Sequence, residues 1–335
     1  MRRSRRPQLS NLPRPRLPRR NREVLSDEEI VPWSIGDRIG LAAAWFSGLL
    51  LCAIAASIVL YMLIRGLQYV QLSALFEHPV VQSTTTITGT GGGYLDPIEG
   101  TLILTALGTL IALPIGVGIA VWLSEYARPA GLARAVESGV EIVAGTPTIV
   151  LAIFGLLIFS KSAFGFLSFT AEGGAVFGRS FFIAGMMMSV IALPLIVGAT
   201  REALQSIPAH VREASYALGK DKISTIRRVL LPASRKGIAT GTTLGMGRIA
   251  GDTAIVILLL GATLTLEKQG TTPVVSTLKG TGSTLTSYVY GNSPAGEGNS
   301  PAKAYAAAFI LLMIVILMNF VVDLMSRRRS DPWAR

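Results

Sequence analysis

Residues 213–232 read Glu-Ala-Ser-Tyr-Ala-Leu-Gly-Lys-Asp-Lys-Ile-Ser-Thr-Ile-Arg-Arg-Val-Leu-Leu-Pro, a polar and basic segment between two long apolar stretches at 181–200 and 238–262. Each apolar stretch has about the 20 residues that a helix needs to cross a bilayer. A polar loop between two such stretches indicates that the chain leaves the membrane over 201–237 and then returns to it.

Two short helices joined by a turn are expected within this loop. Pro208 precedes a run of good helix formers, which predicts a first helix over 209–218. Gly219 predicts the turn, because glycine adopts the left-handed backbone conformation without a steric penalty. Apolar residues spaced three and four apart predict a second helix over 222–231. The small residues of the first helix are expected to let another surface approach closely: Ala214, Ser215 and Ala217.

The composition indicates a membrane protein. Of 335 residues, 50% are hydrophobic and 15% are charged, whereas a soluble domain carries about a quarter charged residues. The fold class predicted is an all-α polytopic membrane protein with about six transmembrane helices. Residues 39–326 form the transmembrane domain, between a disordered basic tail at 1–38 and a short tail at 327–335. The predicted spans are 39–64, 100–123, 141–160, 181–200, 238–262 and 304–325.

The distribution of basic residues predicts the orientation. Of the 31 lysines and arginines, 24 lie in the two tails and in the loops 124–140 and 201–237. Because cytoplasmic loops carry the excess of positive charge, we expect both termini and the 201–237 loop in the cytoplasm. The net charge of +11 then reflects topology and contact with anionic lipid, and no nucleic-acid partner is expected. The outer loops 65–99 and 263–303 are connectors or a surface that meets a soluble partner.

A charged pair is expected inside the fifth span. Arg248 lies about ten residues into it, roughly 15 Å deep at the rise of an α-helix. Asp252 follows four residues later, on the same face of a continuous helix. A single buried charge there is costly, so the two are expected to pair toward the bundle interior. The pair is either structural or part of an anion pathway, because an arginine offers a fork of donors that suits phosphate. Arg201, at the end of the fourth span, is a weaker pathway candidate.

Signatures of an enzyme, a metal site or a cofactor site are not found. Cys52 is the only cysteine, so neither a disulfide framework nor a cysteine metal cluster is possible. His78 and His210 fall in loops assigned to opposite sides of the membrane. The run 173–180 has the spacing of a nucleotide-binding loop, but Arg179 replaces its essential lysine. We therefore expect no cofactor, no metal and no catalytic residue in this chain.

The loop resembles that of ABC-importer permeases, which reads Glu-Ala-Ala, then Gly six residues after the Glu, then Ile-x-Leu-Pro. Glu213, Ala214 and Gly219 match, and Leu231-Pro232 close the pattern, with Ser215 and Val229 as mild departures. Further stretches are similar to phosphate-importer permeases, of the PstA type more than the PstC type. They are Gly100-Thr101-Leu102, Leu113–Gly118, Ser124-Glu125-Tyr126, Glu141–Val150 and Gly245–Ala254, in which Asp252 stands where the family has Glu.

The resemblance implies a type I, MetI-like fold in the bacterial inner membrane and a role in phosphate import. It implies a PstC-like second permease, an ATPase dimer, and a phosphate-binding protein on the outer loops. It also implies that the first loop helix docks in a groove of the ATPase through Glu213, Ala214, Ser215, Ala217, Leu218 and Gly219. Three alternatives are an importer of sulfate or molybdate, an intramembrane enzyme, and a channel or secondary transporter.

Overall fold

The computed structural model describes residues 34–78, 92–168, 178–261, 273–294, 296 and 300–327. Most of the predicted N-terminal tail, residues 79–91 and 262–272 of the outer loops, and the C-terminal tail from residue 328 lie outside this part of the chain. So does most of the run 173–180. The described residues form helices, 3-10 turns and one isolated bridge between Gly261 and Gly282.

Four helices are long and apolar enough to cross a membrane. Each contains one of the predicted spans. They are α1 (Ile35–Tyr69), α2 (Leu95–Val121, continued by a π-helical turn, Trp122–Tyr126), α5 (Phe181–Gln205) and α12 (Pro301–Arg327). Residues 34–57 belong to a separate unit of the chain, and all of them are exposed. Their large apolar side chains, among them Trp45 and Phe46, are suited to contact with lipid.

The predicted third span, 141–160, is not one helix. The chain forms α3 (Ala130–Gly145) and α4 (Thr148–Phe159), which meet at a bend of 107°. The cause is local, because a residue before proline is driven out of the helical conformation. Thr146, which precedes Pro147, is extended with φ −78° and ψ 130°. The pair is therefore a broken span or a re-entrant segment, and α4 has only 12 residues.

The predicted fifth span, 238–262, is also interrupted. Helix α9 runs from Arg235 to Ala250 and is capped at Gly251, and a π-helical turn follows over Val256–Leu260. Between them Asp252 lies outside the helix, where its Oδ1 accepts a hydrogen bond from the backbone N–H of Ile255 at 2.9 Å. The carboxylate thus satisfies an amide at the start of the second helical segment.

Helix α5 packs against α2 and α9 through small residues. Three glycines of α9 spaced four apart lie on one face, and a methyl group at any of them would press on α5: Gly237 against Ala203, Gly241 against Ala199 and Ile196, and Gly245 against Ile196. Nearer the start of α5, Gly185 lies against Leu107 of α2. Glycines at such spacing let helix backbones approach closely in a membrane. The central bundle is therefore held by backbone proximity.

Two short helices follow, α10 (Pro273–Lys279) and α11 (Leu285–Asn292), and the second of them lies near the start of α2. The hydroxyl of Thr101 accepts the backbone N–H of Leu285 at 2.9 Å. Tyr94 and Tyr288 meet edge to face with ring centroids 5.6 Å apart. Burial raises the pKa of Tyr288 to about 12, so its phenol is neutral at physiological pH. These contacts fix the end of α2 that is remote from the 201–237 loop.

Candidate functional site

The loop between α5 and α9 forms the predicted helix–turn–helix. Helix α6 spans Ala209–Ala217, and α7 spans Lys222–Thr225, continues as a π-helical turn to Leu230 and ends in α8 (Leu231–Ala233). Gly219 joins them with a φ of +74°, in the left-handed region that the sequence predicted. We call residues 209–233 the hairpin.

The inner face of the hairpin is packed. The hydroxyls of Ser215 and Thr225 are 2.8 Å apart and buried, which ties α6 to α7. Ile226 and Leu230 pack with Leu204 at the end of α5. Ser215 was expected on the surface that a partner approaches, and this placement is corrected, since it is only 6% exposed. Its small size serves the contact between the two helices of the hairpin.

The outer face of the hairpin presents the other residues of the predicted docking set. Glu213, Ala214, Ala217, Leu218 and Gly219 are all exposed. Leu218 is 81% exposed at the tip, beside small residues and one carboxylate. An exposed apolar side chain at the end of a helix whose inner face is packed is suited to insertion into a groove of another protein. The structure therefore brings five of the six predicted coupling residues onto one accessible surface.

An ion pair that the sequence did not predict fastens the hairpin to α2. Arg212 of α6 donates from Nε and Nη2 to Glu125 Oε1, at 3.1 and 2.9 Å. It also donates to the carbonyls of Leu204 and Ile207, at 2.9 and 2.7 Å. Both charges had been assigned to the cytoplasmic side, but they are 87 residues apart, and no spacing rule joins residues so distant. The sequence signal was limited to the Ser124-Glu125-Tyr126 resemblance.

Lys222 adds a second contact at the same end of α2. Its Nζ donates to the backbone carbonyl of Glu125 and lies 4.3 Å from the centroid of the Tyr126 ring. A cation over an aromatic face is attracted by the ring quadrupole. Both helices of the hairpin therefore contact the π-helical turn that ends α2.

Arg201 lies near this end of the bundle and is engaged. Its Nη1 donates to Glu137 Oε1 of α3, so that α3 is connected to α5. The arginine side chain is 32% exposed. It was considered as a cation at the exit of an anion pathway, and its guanidinium is instead partly committed to a carboxylate.

The predicted pair of Arg248 and Asp252 does not form. The helix ends at Ala250, so the two residues do not share one helical face. Arg248 is exposed, and its side chain makes no ion pair or hydrogen bond within the described part of the chain. Asp252 is 8% exposed and caps the segment that follows. Among the described residues, no group of three His, Cys, Asp or Glu side chains is placed to hold a metal ion.

A bundle of apolar helices with a polar hairpin packed at one end defines a polytopic membrane protein. Residues 112–331 match the family described as "Binding-protein-dependent transport system inner membrane component". The chain belongs to this family. Its members are transport components, which agrees with the prediction that the chain is a permease subunit and not an enzyme.

Relatives and solved structures agree with this membership. The chain is 33% identical over 55% of its length to the phosphate transport system permease protein PstC of Pasteurella multocida, of which the match covers 61%. It is 30% identical over 72% of its length to PstA 1 of Mycobacterium tuberculosis, of which 73% is covered. A MetNI methionine transporter in an inward-facing conformation has a similar fold, with a TM-score of 0.53, 22% identity and coverage of 70% of this chain and 95% of that one. The resemblance to phosphate-importer permeases and the MetI-like fold are therefore confirmed.

Proposed function

We propose that this chain is a permease subunit of an ATP-driven importer of inorganic phosphate, and that its hairpin is the attachment point of the ATPase. The phosphate assignment is supported by the PstA and PstC relatives. The docking assignment is supported by the exposed tip at Leu218, whose supporting face is packed against α5. That tip is the observation on which the coupling proposal depends.

The assembly proposed has four kinds of component. A second, PstC-like permease completes the translocation pathway, an ATPase dimer binds the two hairpins, and a phosphate-binding protein docks on the outer loops. The location is the bacterial inner membrane with both termini in the cytoplasm. The described residues hold four candidate spans, or five if the bent pair α3–α4 is one span. We propose that the bent pair and the interrupted 235–260 segment both cross the membrane, because six crossings would place both termini on one side.

ATP binding by the partner would draw the two ATPase subunits together and move the hairpin. Because the hairpin lies between α5 and α9 in the chain, its displacement would tilt these two helices. The close contact between them through Gly237, Gly241 and Gly245 favours their movement as one body. The bundle would thereby alternate between inward and outward access.

Arg248 is the residue that we assign to the anion pathway. It is exposed within the chain and its guanidinium has no carboxylate neighbour among the described residues, so its donors are available to phosphate oxygens. Asp252 would hold the helix break beside it, and Arg201 would stabilise the bundle near the cytoplasmic exit. A single arginine that binds the anion briefly suits transport better than an enclosed site that binds it tightly.

Uptake of radiolabelled phosphate in a deletion strain of the source bacterium tests the substrate and Arg248 together. The wild-type gene should restore uptake, with competition by phosphate and not by sulfate or molybdate. Arg248→Gln should reduce uptake at least about tenfold, because the cation is lost. Arg134→Gln removes an exposed arginine outside the pathway and is the matched control. Membrane levels of each variant are measured by immunoblot.

Four results would overturn parts of this proposal. Competition by sulfate or molybdate would assign another oxyanion. Uptake that continues after ATP depletion would indicate a channel or a secondary transporter, and activity of the purified chain without an ATPase would indicate an enzyme. Normal uptake by Arg248→Gln would remove this residue from the pathway and leave the importer assignment intact.

A further inference from the structure

We propose that Glu125 and Arg212 are a positioning pair that makes the end of α2 a third point of force transmission from the hairpin. This inference rests on the proposed coupling function and adds a route to it. Chain connectivity delivers a displacement of the hairpin to α5 and α9 only. The ion pair delivers it also to α2, which packs against both of these helices.

Arg212 is the centre of the contact. Its guanidinium bonds the Glu125 carboxylate through Nε and Nη2, and the carbonyls of Leu204 and Ile207 through Nη2 and Nη1. The last carbonyls of a helix lack partners within it, so one side chain both completes the end of α5 and holds α2. Movement of α6 therefore cannot leave α2 behind unless these bonds break.

Burial strengthens this contact. The Glu125 side chain is 6% exposed and that of Arg212 is 21% exposed, so solvent screens the pair weakly. Removal of one charge would leave the other poorly solvated, which is far more disruptive than loss of a surface pair. If the two residues were only anchors at the membrane–water interface, both side chains would be exposed to water.

A second contact fixes the orientation of the hairpin against α2. Lys222, on the other helix of the hairpin, reaches the carbonyl of Glu125 and the ring of Tyr126. Two contacts from two helices to one five-residue turn, Trp122–Tyr126, oppose rotation as well as separation. Arg227 and Arg228, in the π-helical turn that continues α7, are exposed and take no part in this contact.

Hydrogen exchange on the full chain in lipid nanodiscs tests the contact without an ATPase or phosphate. Glu125→Gln keeps the side-chain shape but loses the charge, and amides of 209–217 should exchange at least about tenfold faster. Arg227→Gln removes a cation from the same hairpin and should leave their exchange unchanged. In the double variant Glu125→Gln/Arg212→Gln, the Arg212 substitution should raise the exchange rate by a smaller factor than it does in the wild-type background. Equal exchange in wild type and Glu125→Gln would overturn the proposal.

Coupling is then measured in proteoliposomes that hold the complex purified with its native ATPase. The readout is phosphate transported per ATP hydrolysed, which does not depend on how much complex assembles. Glu125→Gln should lower this ratio at least about fivefold. A merely structural pair would reduce both rates and leave the ratio unchanged, and that result would overturn force transmission. If the wild-type complex moves no phosphate, the proposed substrate fails, whereas the exchange result stands by itself.

Discussion

Substitution of Gly237 by alanine should separate α9 from α5 at the base of the bundle. A Cβ atom at this position would lie 2.2 Å from Ala203 Cβ and 3.1 Å from the carbonyl oxygen of Ala199. Non-bonded carbon atoms prefer about 3.5–4.0 Å, so the helices would have to move apart locally. Neither neighbouring atom is the end of a flexible side chain, and no rotamer change relieves the clash.

The expected magnitude is a difference between two effects. Overpacking of a close interface costs about 1–3 kcal/mol, while alanine in a helix is favoured over glycine by up to about 1 kcal/mol. A contact of 2.2 Å belongs to the upper part of the overpacking range, about 2–3 kcal/mol, so the net destabilisation of Gly237→Ala is about 1–2 kcal/mol. Gly247 lies on the same helix, and a Cβ atom there meets nothing within 4 Å. Gly247→Ala should therefore be neutral or stabilising, by up to about 1 kcal/mol.

Thermal unfolding of the full chain in nanodiscs compares these variants. Relative to the wild type, Gly237→Ala should lower the midpoint temperature of unfolding and Gly247→Ala should not. Gly237→Ala/Ala203→Gly transfers the methyl group from one helix to the other, so it should recover most of the loss. Failure of this double variant to recover, or equal midpoints for the two single variants, would refute the claim that backbone proximity holds α5 against α9.

Three further substitutions test the local conformation of the chain. Gly219→Ala should destabilise the hairpin by about 1–2 kcal/mol, because Gly219 has a φ of +74° and no neighbour that a Cβ atom would meet, so the whole cost is the left-handed conformation. Ala127→Gly should have the opposite sign, since Ala127 has a φ of 38°, and the two are compared by hydrogen exchange of the adjacent amides. Asp252→Ala should cost about 1 kcal/mol by removing the acceptor for Ile255, whereas Asp252→Asn keeps an oxygen there; equal midpoints in thermal unfolding would contradict the capping role.

The hairpin was predictable because its signals are local. Pro208, Gly219 and the apolar spacing after Lys222 each act within a few residues, and their conformational preferences agree with the fold. The fixing of the hairpin to α2 was not predictable, because Glu125 and Arg212 meet only after α2, α5 and α6 have packed. Ser215 shows the same limit, since a small residue suits a partner surface as well as the Thr225 contact that it makes.

Helix breaks explain the other differences from the sequence expectation. Hydropathy predicts 141–160 and 238–262 as continuous spans, because it measures apolar content and not backbone conformation. It therefore detects neither the bend at Thr146-Pro147 nor the interruption of the helix at Gly251–Thr253. The glycines at 237, 241 and 245 are spaced by four in the sequence, but glycines also stand at 247 and 251, and a methyl group at Gly247 would meet no neighbour within 4 Å. A glycine count cannot show which face meets another helix.

The break after Ala250 also changes what Arg248 can do. In a continuous helix, Arg248 and Asp252 would lie one turn apart and neutralise each other, and the guanidinium would have little field left for an anion. The observed break turns the Asp252 carboxylate toward the amide of Ile255 and leaves Arg248 exposed. Aspartate suits this capping role, because its short side chain reaches an amide three residues ahead. Interruption of the helix and availability of the cation are thus two consequences of one local conformation.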